Sequence, residues 1–429
     1  MSEARATTRA AAAPIASAGR LGIISAASIG NALEWFDLLI YGYLAVTLSK
    51  LFFPSGDETV SLLLTFGTFG AAYLARPLGA IVLGAYADRA GRKAALTLAI
   101  LLMMIGTLVM AFIPTYGSIG IFAPLAVLGA RLIQGFSIGG EFGSATSFLV
   151  EHGRGREGLF ASFQWSGQGL AAVVASLFGI GLNTLLTPDQ LHDWGWRVPY
   201  FFGLLLGPAG FYIRRNAEET PEFLAAKPAQ APLRELVREQ WGRVLLAAGI
   251  VIVSTSSNYL ILYMPTYAIK QLSLPASSGF IATTLGGIIL TFGSPLFGHW
   301  SDLAGRIRIM LAAVALFVIS AYPAFLLVTR FPSLAVLIAV VCWLSLLKTA
   351  YSGVLPSLMA EIFPARTRAT GMALSYNVSV PVFGGFAPFV STWLIGVTGS
   401  NLAPSFYLIG TAVVSFGMLM AVRSRLRIR

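Results

Sequence analysis

Five charged residues lie deep inside long apolar stretches, where a charge is costly unless it has a partner or a function. They are Glu34, Asp37, Arg76, Arg131 and Lys348. An ionised side chain at the centre of a bilayer costs at least about 2.5–3.5 kcal/mol on insertion scales. Such groups normally face a polar cavity or each other, so they are the first candidates for binding and proton transfer.

Two carboxylates of the first apolar stretch have the spacing that proton transfer requires. Glu34 and Asp37 are three residues apart and share one face of a helix. Two neighbouring carboxylates repel each other when both are ionised in a low dielectric, which favours one protonated form. We predict proton coupling at this pair and at Glu141, which suits an inner gate equally well. The alternative is a pair that bonds arginine or backbone and never titrates.

The deep cations are suited to an anionic ligand. Arg131 can hold a carboxylate in a bidentate fork, can pair with Glu34 or Asp37, or can form a permanent structural ion pair. Arg76 lies about three helical turns, roughly 18 Å, before Asp88, and the proline after it perturbs the helix. Lys348 offers a second kind of cationic contact for a substrate with several carboxylates.

Uncharged polar residues in other apolar stretches complete the predicted substrate site. Such groups often bond a neighbouring helix instead, and that is the alternative for each one alone. Together they supply the donors that a polar substrate needs. The predicted substrate-binding set comprises Arg76, Arg131 and Lys348 with Asn31, Gln134, Gln164, Asn258, Tyr351 and Asn377.

The elements that must position these residues are membrane-spanning helices. Of the 429 residues, 56% are hydrophobic and 11% are charged, whereas soluble domains carry about 25% charged residues. Twelve apolar stretches have the length of about 20 residues that a spanning helix needs. Their approximate bounds are 22–48, 60–86, 94–113, 118–148, 158–185, 197–213, 244–268, 277–300, 309–329, 333–359, 368–396 and 403–422.

One long hydrophilic connection divides the chain into two halves. The predicted fold is all-α, with twelve transmembrane helices in two pseudo-symmetric bundles of six. The predicted regions are a cytoplasmic tail at 1–21, a first bundle at 22–213, a cytoplasmic loop at 214–243, a second bundle at 244–422 and a tail at 423–429. A short amphipathic helix is expected around Leu233–Trp241, at the membrane surface.

The distribution of positive charge predicts the orientation. If the N-terminus is cytoplasmic, 22 of the 29 lysines and arginines fall in cytoplasmic segments and 4 in outer loops. This bias places both termini in the cytoplasm. The net charge of +11 therefore indicates a topology signal spread over short loops, and nucleic acid is not an expected partner.

A loop motif recurs at half the chain length. An Asp-x-x-Gly-Arg core begins at Asp88 and again at Asp302, 214 residues later. Its aspartate can cap a neighbouring helix or pair with arginine, and such contacts can hold one face of a bundle shut. The alternative is a loop that only sets topology. The predicted gating residues are Asp88, Arg89, Arg92, Asp302, Arg306 and Glu361.

This loop resembles the signature of the major facilitator superfamily, and the resemblance covers the whole chain. Further motifs resemble the metabolite:proton symporter group, with bacterial citrate and tricarballylate symporters the most similar. These motifs begin at Gly30 in span 1, Arg76 in span 2, Arg131 in span 4, Trp194 before span 6 and Glu218 after it. The resemblance implies alternating access in a bacterial inner membrane, and the group also includes carriers of proline and betaine.

Several other classes of function lack their sequence marks. No phosphate-binding loop, metal-ligand spacing or nucleophile–base arrangement is present, so an enzyme, a metal and a cofactor are not expected. The expected function is proton-driven symport of a small organic anion, a di- or tricarboxylate such as citrate, by a monomer among membrane lipids. Uptake of a zwitterionic osmolyte is the alternative, and such carriers are expected to bear a C-terminal coiled coil. A sensor would require an added soluble domain, and a channel would not need duplicated gate loops.

Overall fold

The structure is a computed structural model that describes residues 35–426, except 91, 140, 154, 217–235 and 237. At 87–89, 92, 93, 96, 141, 144, 148, 152, 206 and 209–216 only the backbone is described. Within this part of the chain nearly every residue is helical and there is no strand. The all-α prediction is confirmed.

The first half of the chain forms eleven helices and one turn of 3₁₀-helix, Gly195–Arg197. The helices are α1 Trp35–Tyr43, α2 Ala45–Phe52, α3 Glu58–Leu74, α4 Arg76–Ala90, α5 Arg92–Phe112, α6 Tyr116–Ile119, α7 Phe122–Ile138, α8 Glu141–His152, α9 Glu157–Leu185, α10 Pro188–Asp193 and α11 Val198–Asn216.

The second half forms eight helices and a π-helical turn, Val380–Gly385. The helices are α12 Trp241–Lys270, α13 Ala276–Ala304, α14 Arg306–Arg330, α15 Leu334–Ser352, α16 Leu355–Ile362, α17 Arg368–Ser379, α18 Ala387–Thr398 and α19 Ala403–Leu426.

Every predicted span is helical over most of its described residues. Eight helical stretches are long and apolar enough to cross a membrane, and α1 with α2 makes a ninth if that bent pair is one span. Shorter apolar helices cover Thr97–Phe112 and Phe122–Ile138, in the third and fourth predicted spans. Four of the nine residues of the expected surface helix around Leu233–Trp241 lie outside the described residues, while 236, 238 and 239 are helical. The domain boundaries stay predictions.

Several spans are broken where the sequence analysis treats them as continuous. The first bends by 70° between α1 and α2, and the fourth is interrupted at Gly139. The eleventh contains the π-helical turn. Pro381 lies inside that turn and lacks the N–H that an α-helical hydrogen bond would need. The Tyr407 hydroxyl donates to the carbonyl of Phe383, at 2.6 Å, and so satisfies a polar group of the irregular backbone.

The two halves meet along two seams of small residues. In the first seam, α9 and α13 approach so closely that a Cβ at Gly158 or Gly298 would meet the other glycine's backbone. In the second seam, the rings of Phe389 and Phe386 lie against Gly67 and Gly70 of α3. Small residues at such seams allow tight packing, which drives helix association in lipid.

In the second copy of the repeated loop, a single residue connects α13 to α14. Gly305 has φ 94° between the end of α13 and the start of α14 at Arg306. A residue with a side chain is strained at such a φ, which explains the glycine of the motif.

We call this end of the bundle the Asp302 end, and the opposite end, where α3 begins, the Glu58 end.

Candidate functional site

Asp37 lies buried on α1 and receives two hydrogen bonds from uncharged groups. The Thr107 hydroxyl of α5 donates to its Oδ2 at 2.5 Å, and the Gln134 amide of α7 donates to the same oxygen. The Gln134 amide also donates to the Thr107 hydroxyl at 3.2 Å. Oδ1 of Asp37 is buried without a hydrogen-bond partner among the described residues. One carboxylate oxygen is therefore held, and the other can carry a proton.

Arg131 lies beside Asp37 but does not form the predicted carboxylate pair with it in this structure. Its Nη1 donates to the backbone carbonyl of Asp37 at 3.4 Å. The guanidinium carbon lies 4.1 Å from the centre of the Tyr41 ring. Nε and Nη2 have no hydrogen-bond partner among the described residues. The guanidinium thus keeps donors for a ligand.

Arg76 is held by aromatic rings. Its guanidinium carbon lies 4.4 Å from the centre of the Tyr73 ring and 5.7 Å from that of Trp35. The Tyr73 ring in turn packs edge-to-face on Tyr259 of α12, with centroids 5.3 Å apart. Nε and Nη2 of Arg76 have no hydrogen-bond partner in the described part of the chain. Arg76 is buried and cationic at the seam between the halves.

Lys348 lies midway along the tenth span, which runs from Leu334 to Ile362. Its Nζ donates to Oδ1 of Asn258 at 2.5 Å and lies 5.4 Å from the centre of the Trp165 ring. Trp165 belongs to the first half and Lys348 to the second. The lysine is 4% exposed and therefore buried at the interface.

The remaining predicted substrate ligands have structural contacts. The Tyr351 hydroxyl donates to the carbonyl of Ile250 at 2.7 Å, within the second half. The Asn377 amide donates to the carbonyl of Gly139 at 2.8 Å, across the two halves. Gln164 is half-buried on α9. The role of all three in substrate binding stays a prediction.

The Asp302 carboxylate caps a helix of the opposite half. Its Oδ1 accepts from the backbone N–H of Gly158 at 2.8 Å, and its Oδ2 from that of Leu159 at 3.1 Å. Both N–H groups belong to the first turn of α9, which lacks partners inside its own helix. A carboxylate at a helix N-terminus also interacts favourably with the helix dipole.

Arg306 connects this cap to two further carboxylates. Its guanidinium lies 3.4 Å from Asp302, 3.6 Å from Glu157 and in contact with Glu361. Glu157 belongs to the first half and the other three residues to the second. The gating residues predicted in the second half, Asp302, Arg306 and Glu361, therefore meet in one network that connects the two halves.

Contacts close the bundle at both ends. Toward the Asp302 end, the Phe142 ring stacks on Tyr376 of the other half with centroids 3.8 Å apart. At the Glu58 end, Lys270 Nζ lies 2.6 Å from the Glu58 carboxylate, again across the halves. The buried cations and Asp37 lie between these two closed ends.

Some predicted residues cannot be placed. Asn31 and Glu34 lie outside the described residues. The backbone of the others is helical, but their side chains lie outside the described part of the structure; they are Asp88, Arg89, Arg92 and Glu141.

Sequence reasoning selected Gln134 and Asn258 but missed Thr107 and the aromatic residues that contact the charged ones. Thr107 has no mark in the sequence that separates it from other threonines of apolar helices. Tyr73 does have one, because it precedes Arg76 by three residues and so shares its helical face. Tyr41 and Trp165 contact cations that lie far away in the chain, and no local spacing reveals them.

Comparison with known proteins gives a consistent family match. The sequence pattern described as Major Facilitator Superfamily matches residues 27–374. The chain is 39% identical over 415 residues to a citrate-proton symporter of Klebsiella pneumoniae, covering 95% of this chain and 94% of that protein. It is 34% identical over 411 residues to a proline/betaine transporter of Escherichia coli, covering 91% and 81%.

Solved structures show the same fold. A crystal structure of a D-xylose-proton symporter superposes with a TM-score of 0.73 at 17% identity, covering 92% of this chain and 97% of that one. A double tryptophan mutant of the xylose transporter XylE gives 0.75 at 16% identity, covering 95% of both chains. The chain therefore has the fold of these transporters, and the predicted fold class is confirmed.

Proposed function

Because this chain belongs to the Major Facilitator Superfamily, a family of membrane transporters, we propose that it carries a small organic anion together with protons. It is a transporter and not an enzyme. The proposed substrate is a di- or tricarboxylate such as citrate, and the proposed mechanism is alternating access around the buried cations. The proton gradient is the proposed driving force, and no cofactor is proposed.

The excess of buried positive charge among the described residues carries this proposal. Arg76 and Arg131 are both buried, and each has two nitrogen atoms without a hydrogen-bond partner among the described residues. Asp37 stands beside Arg131 but receives its hydrogen bonds from uncharged groups. Buried guanidinium N–H groups are costly to leave without hydrogen bonds, and a carboxylate matches the fork geometry of these donors. An anionic substrate would satisfy them.

Asp37 is the proposed proton carrier, with Glu34 as its proposed partner. Its free Oδ1 is where a proton would be held, while Thr107 and Gln134 keep the other oxygen in place. A protonated Asp37 no longer competes with a substrate carboxylate for Arg131. Ionisation after the bundle opens at the other side would restore that competition and favour release. This linkage makes binding of anion and proton cooperative.

The relatives support the same substrate class and supply the alternative. A second citrate-proton symporter, from Salmonella typhi, is 36% identical over 92% of this chain, whereas the proline/betaine transporter supports an osmolyte. A quaternary ammonium group would need open aromatic faces. The faces of Tyr73 and Trp35 are instead covered by Arg76, which favours the anion.

The proposed setting is the inner membrane of a bacterium, with a monomeric chain and both termini in the cytoplasm. The bacterial relatives support the membrane, and the positive charge of one set of loops supports the orientation. The Asp302 end is then the cytoplasmic end.

Uptake by proteoliposomes tests this function. We expect an imposed pH gradient, acidic outside, to drive accumulation of citrate or tricarballylate, and a protonophore to abolish it. Glycine betaine and proline should neither accumulate nor compete. Accumulation of betaine or proline without uptake of any carboxylate would reject the proposal in favour of the osmolyte alternative.

A pair of variants ties the activity to the site. Arg131→Gln should abolish carboxylate uptake while the protein still inserts and purifies as a single species. Arg330→Gln removes an equal charge at the exposed end of α14 and should leave uptake unchanged. Equal uptake by both variants would refute the role of Arg131.

A further inference from the structure

Lys348 stands apart from the other deep cations because its own half of the chain offers it no carboxylate. Between 244 and 422 the sequence contains only two acidic residues, Asp302 and Glu361. Both contact Arg306 at the Asp302 end, while Lys348 lies at the middle of its span. Its hydrogen-bond partner is the uncharged oxygen of Asn258. A buried ammonium without a counter-charge is expensive.

The helices that carry Lys348 and Trp165 also carry a set of buried polar groups without hydrogen-bond partners among the described residues. Trp165 Nε1, both side-chain heteroatoms of Gln168 and the Ser345 hydroxyl have no hydrogen-bond partner among the described residues. These side chains are 2–3% exposed. Trp165 and Gln168 share one face of α9, and Ser345 and Lys348 share one face of α15. The 5.4 Å contact between Lys348 and the Trp165 ring brings the two faces together.

Most polar atoms of this cluster can donate hydrogen bonds, on both sides of the seam, while Oε1 of Gln168 can only accept. The Lys348 ammonium, the Trp165 indole and the Gln168 amide can each donate, as can the Ser345 hydroxyl. Buried polar groups in proteins are normally satisfied, and a group of unsatisfied donors beside a cation suits an anion. A single carboxylate could accept from several of them at once.

The cluster is distinct from the arginine pair but connected to it. Arg76 packs on Tyr73, and Tyr73 packs on Tyr259 of α12. Tyr259 follows Asn258, which accepts the hydrogen bond from Lys348. The lysine thus belongs to the same interface between the halves, but it approaches from the second half, whereas both arginines belong to the first.

We propose that Lys348, with Trp165, Gln168 and Ser345, forms a second anion subsite that determines how many carboxylates the substrate must carry. This inference rests on the proposed function. One carboxylate binds Arg76 and Arg131 in the first half, and a second carboxylate of the same molecule binds Lys348 in the second half. A substrate with two separated carboxylates then draws the halves together, while a monocarboxylate fills only one subsite.

The test measures selectivity instead of uptake alone. The apparent affinities for tricarballylate, glutarate and butyrate, which differ in carboxylate number, are compared by competition in proteoliposomes. Wild-type protein should prefer the first two over butyrate by at least about tenfold, the worth of one charged hydrogen bond. Lys348→Gln should remove most of that preference, Lys348→Arg should retain it, and the exposed-charge control Arg330→Gln should leave it unchanged.

A spectroscopic measurement provides a readout that does not require transport. Binding of tricarballylate at the lysine should change the fluorescence of Trp165 in detergent-solubilised protein, and Trp165→Phe should remove that change. Butyrate should produce a much smaller change.

The outcomes separate the two proposals. If wild-type protein transports none of these acids, the proposed function itself fails. If it transports them but Lys348→Gln keeps the wild-type order of affinities in a folded protein, the second subsite is refuted and the proposed function stands. A Lys348→Gln protein that fails to purify as a single species is replaced by Gln168→Leu, for which the same loss of preference is expected and an unchanged order refutes the subsite.

Discussion

At the residue scale, the deep cations of this chain are held by aromatic faces more than by acids. Arg76 lies over Tyr73, Arg131 over Tyr41 and Lys348 near Trp165. A ring stabilises a buried cation through its negative face without occupying its N–H groups. The donors therefore remain available for an exchangeable ligand, which a permanent salt bridge would not allow.

The first prediction concerns this aromatic support. Tyr73→Leu should weaken substrate affinity because Arg76 loses a contact worth about 0.5–2 kcal/mol. Tyr73→Phe keeps the ring and should stay close to wild type. Competition binding measures both. Equal weakening by the two variants would indicate that the hydroxyl matters and the ring face does not.

The second prediction concerns the proton. Asp37→Asn keeps the size of the side chain but cannot release or accept the coupled proton. It should lose accumulation driven by a pH gradient while retaining exchange of labelled for unlabelled substrate across the membrane. The matched control is Asp189→Asn, in the exposed helix α10. This variant should retain both gradient-driven accumulation and exchange. Gradient-driven accumulation by Asp37→Asn would remove Asp37 from the coupling pathway.

The sequence reveals the charged residues of the site but not the threonine and the aromatic residues that contact them. A charge within an apolar stretch stands out, which is why Arg76, Arg131 and Lys348 can be selected from the sequence alone. Thr107 and Trp165 are ordinary residues of apolar helices, and their importance comes from partners that lie far away in the sequence. Only the packing of the helices reveals them.

At the element scale, close helix packing positions the arginines. Arg76 opens α4, and Arg131 lies on α7, which packs against both α3 and α4. A Cβ on Gly135 would collide with the Ala72 carbonyl, and one on Gly79 with the Phe136 carbonyl. These contacts involve backbone atoms that cannot move aside without shifting a helix.

The third prediction follows from this packing. Gly135→Ala should destabilise the protein by about 1–3 kcal/mol, the usual cost of overpacking. Gly129→Ala, six residues earlier on the same helix, meets nothing within 4 Å and should be neutral or slightly stabilising. Thermal unfolding in detergent compares the two. A similar melting temperature for both would show that α7 is free to shift.

Hydropathy predicts where the spans lie but not where they break. A stretch of apolar residues has the same average hydropathy whether its helix is straight or bent. The breaks at Gly139 and within 380–385 depend on glycine, proline and the backbone partners that neighbouring helices supply. The sequence contains those residues, but many transmembrane helices tolerate them without a break.

At the scale of the whole molecule, the two ends are held shut by contacts of unequal strength. The Asp302 side chain is only 8% exposed, accepts hydrogen bonds from two backbone N–H groups of the other half and contacts Arg306. The Glu58–Lys270 pair is more exposed, with 70% of the glutamate side chain accessible. Exposed ion pairs contribute little, about 0–1 kcal/mol.

The fourth prediction compares the two ends. Asp302→Asn should slow transport at least about tenfold, since one charged acceptor of backbone donors contributes about 1.5–3 kcal/mol. The Asp302→Asn variant should also make a cysteine introduced near Gly158 react faster with a thiol reagent. This measurement uses a chain in which the one natural cysteine, Cys342, is replaced by serine. Glu58→Gln should change transport less than about threefold. The reverse order of effects would place the stronger closure at the Glu58 end.

The π-helical turn at 380–385 has a consequence for the eleventh span. Each residue of an α-helix advances the side chains by about 100° around the axis. A turn that closes over one extra residue therefore offsets the angular phase of everything beyond it by about that amount. After the turn, Phe386 and Phe389 contact Gly70 and Gly67. Before the turn, Tyr376 stacks on Phe142, and Asn377 donates a hydrogen bond to Gly139. The side chains before and after the turn therefore point toward the first half from different angles around the helix axis. The π-helical turn produces that angular difference.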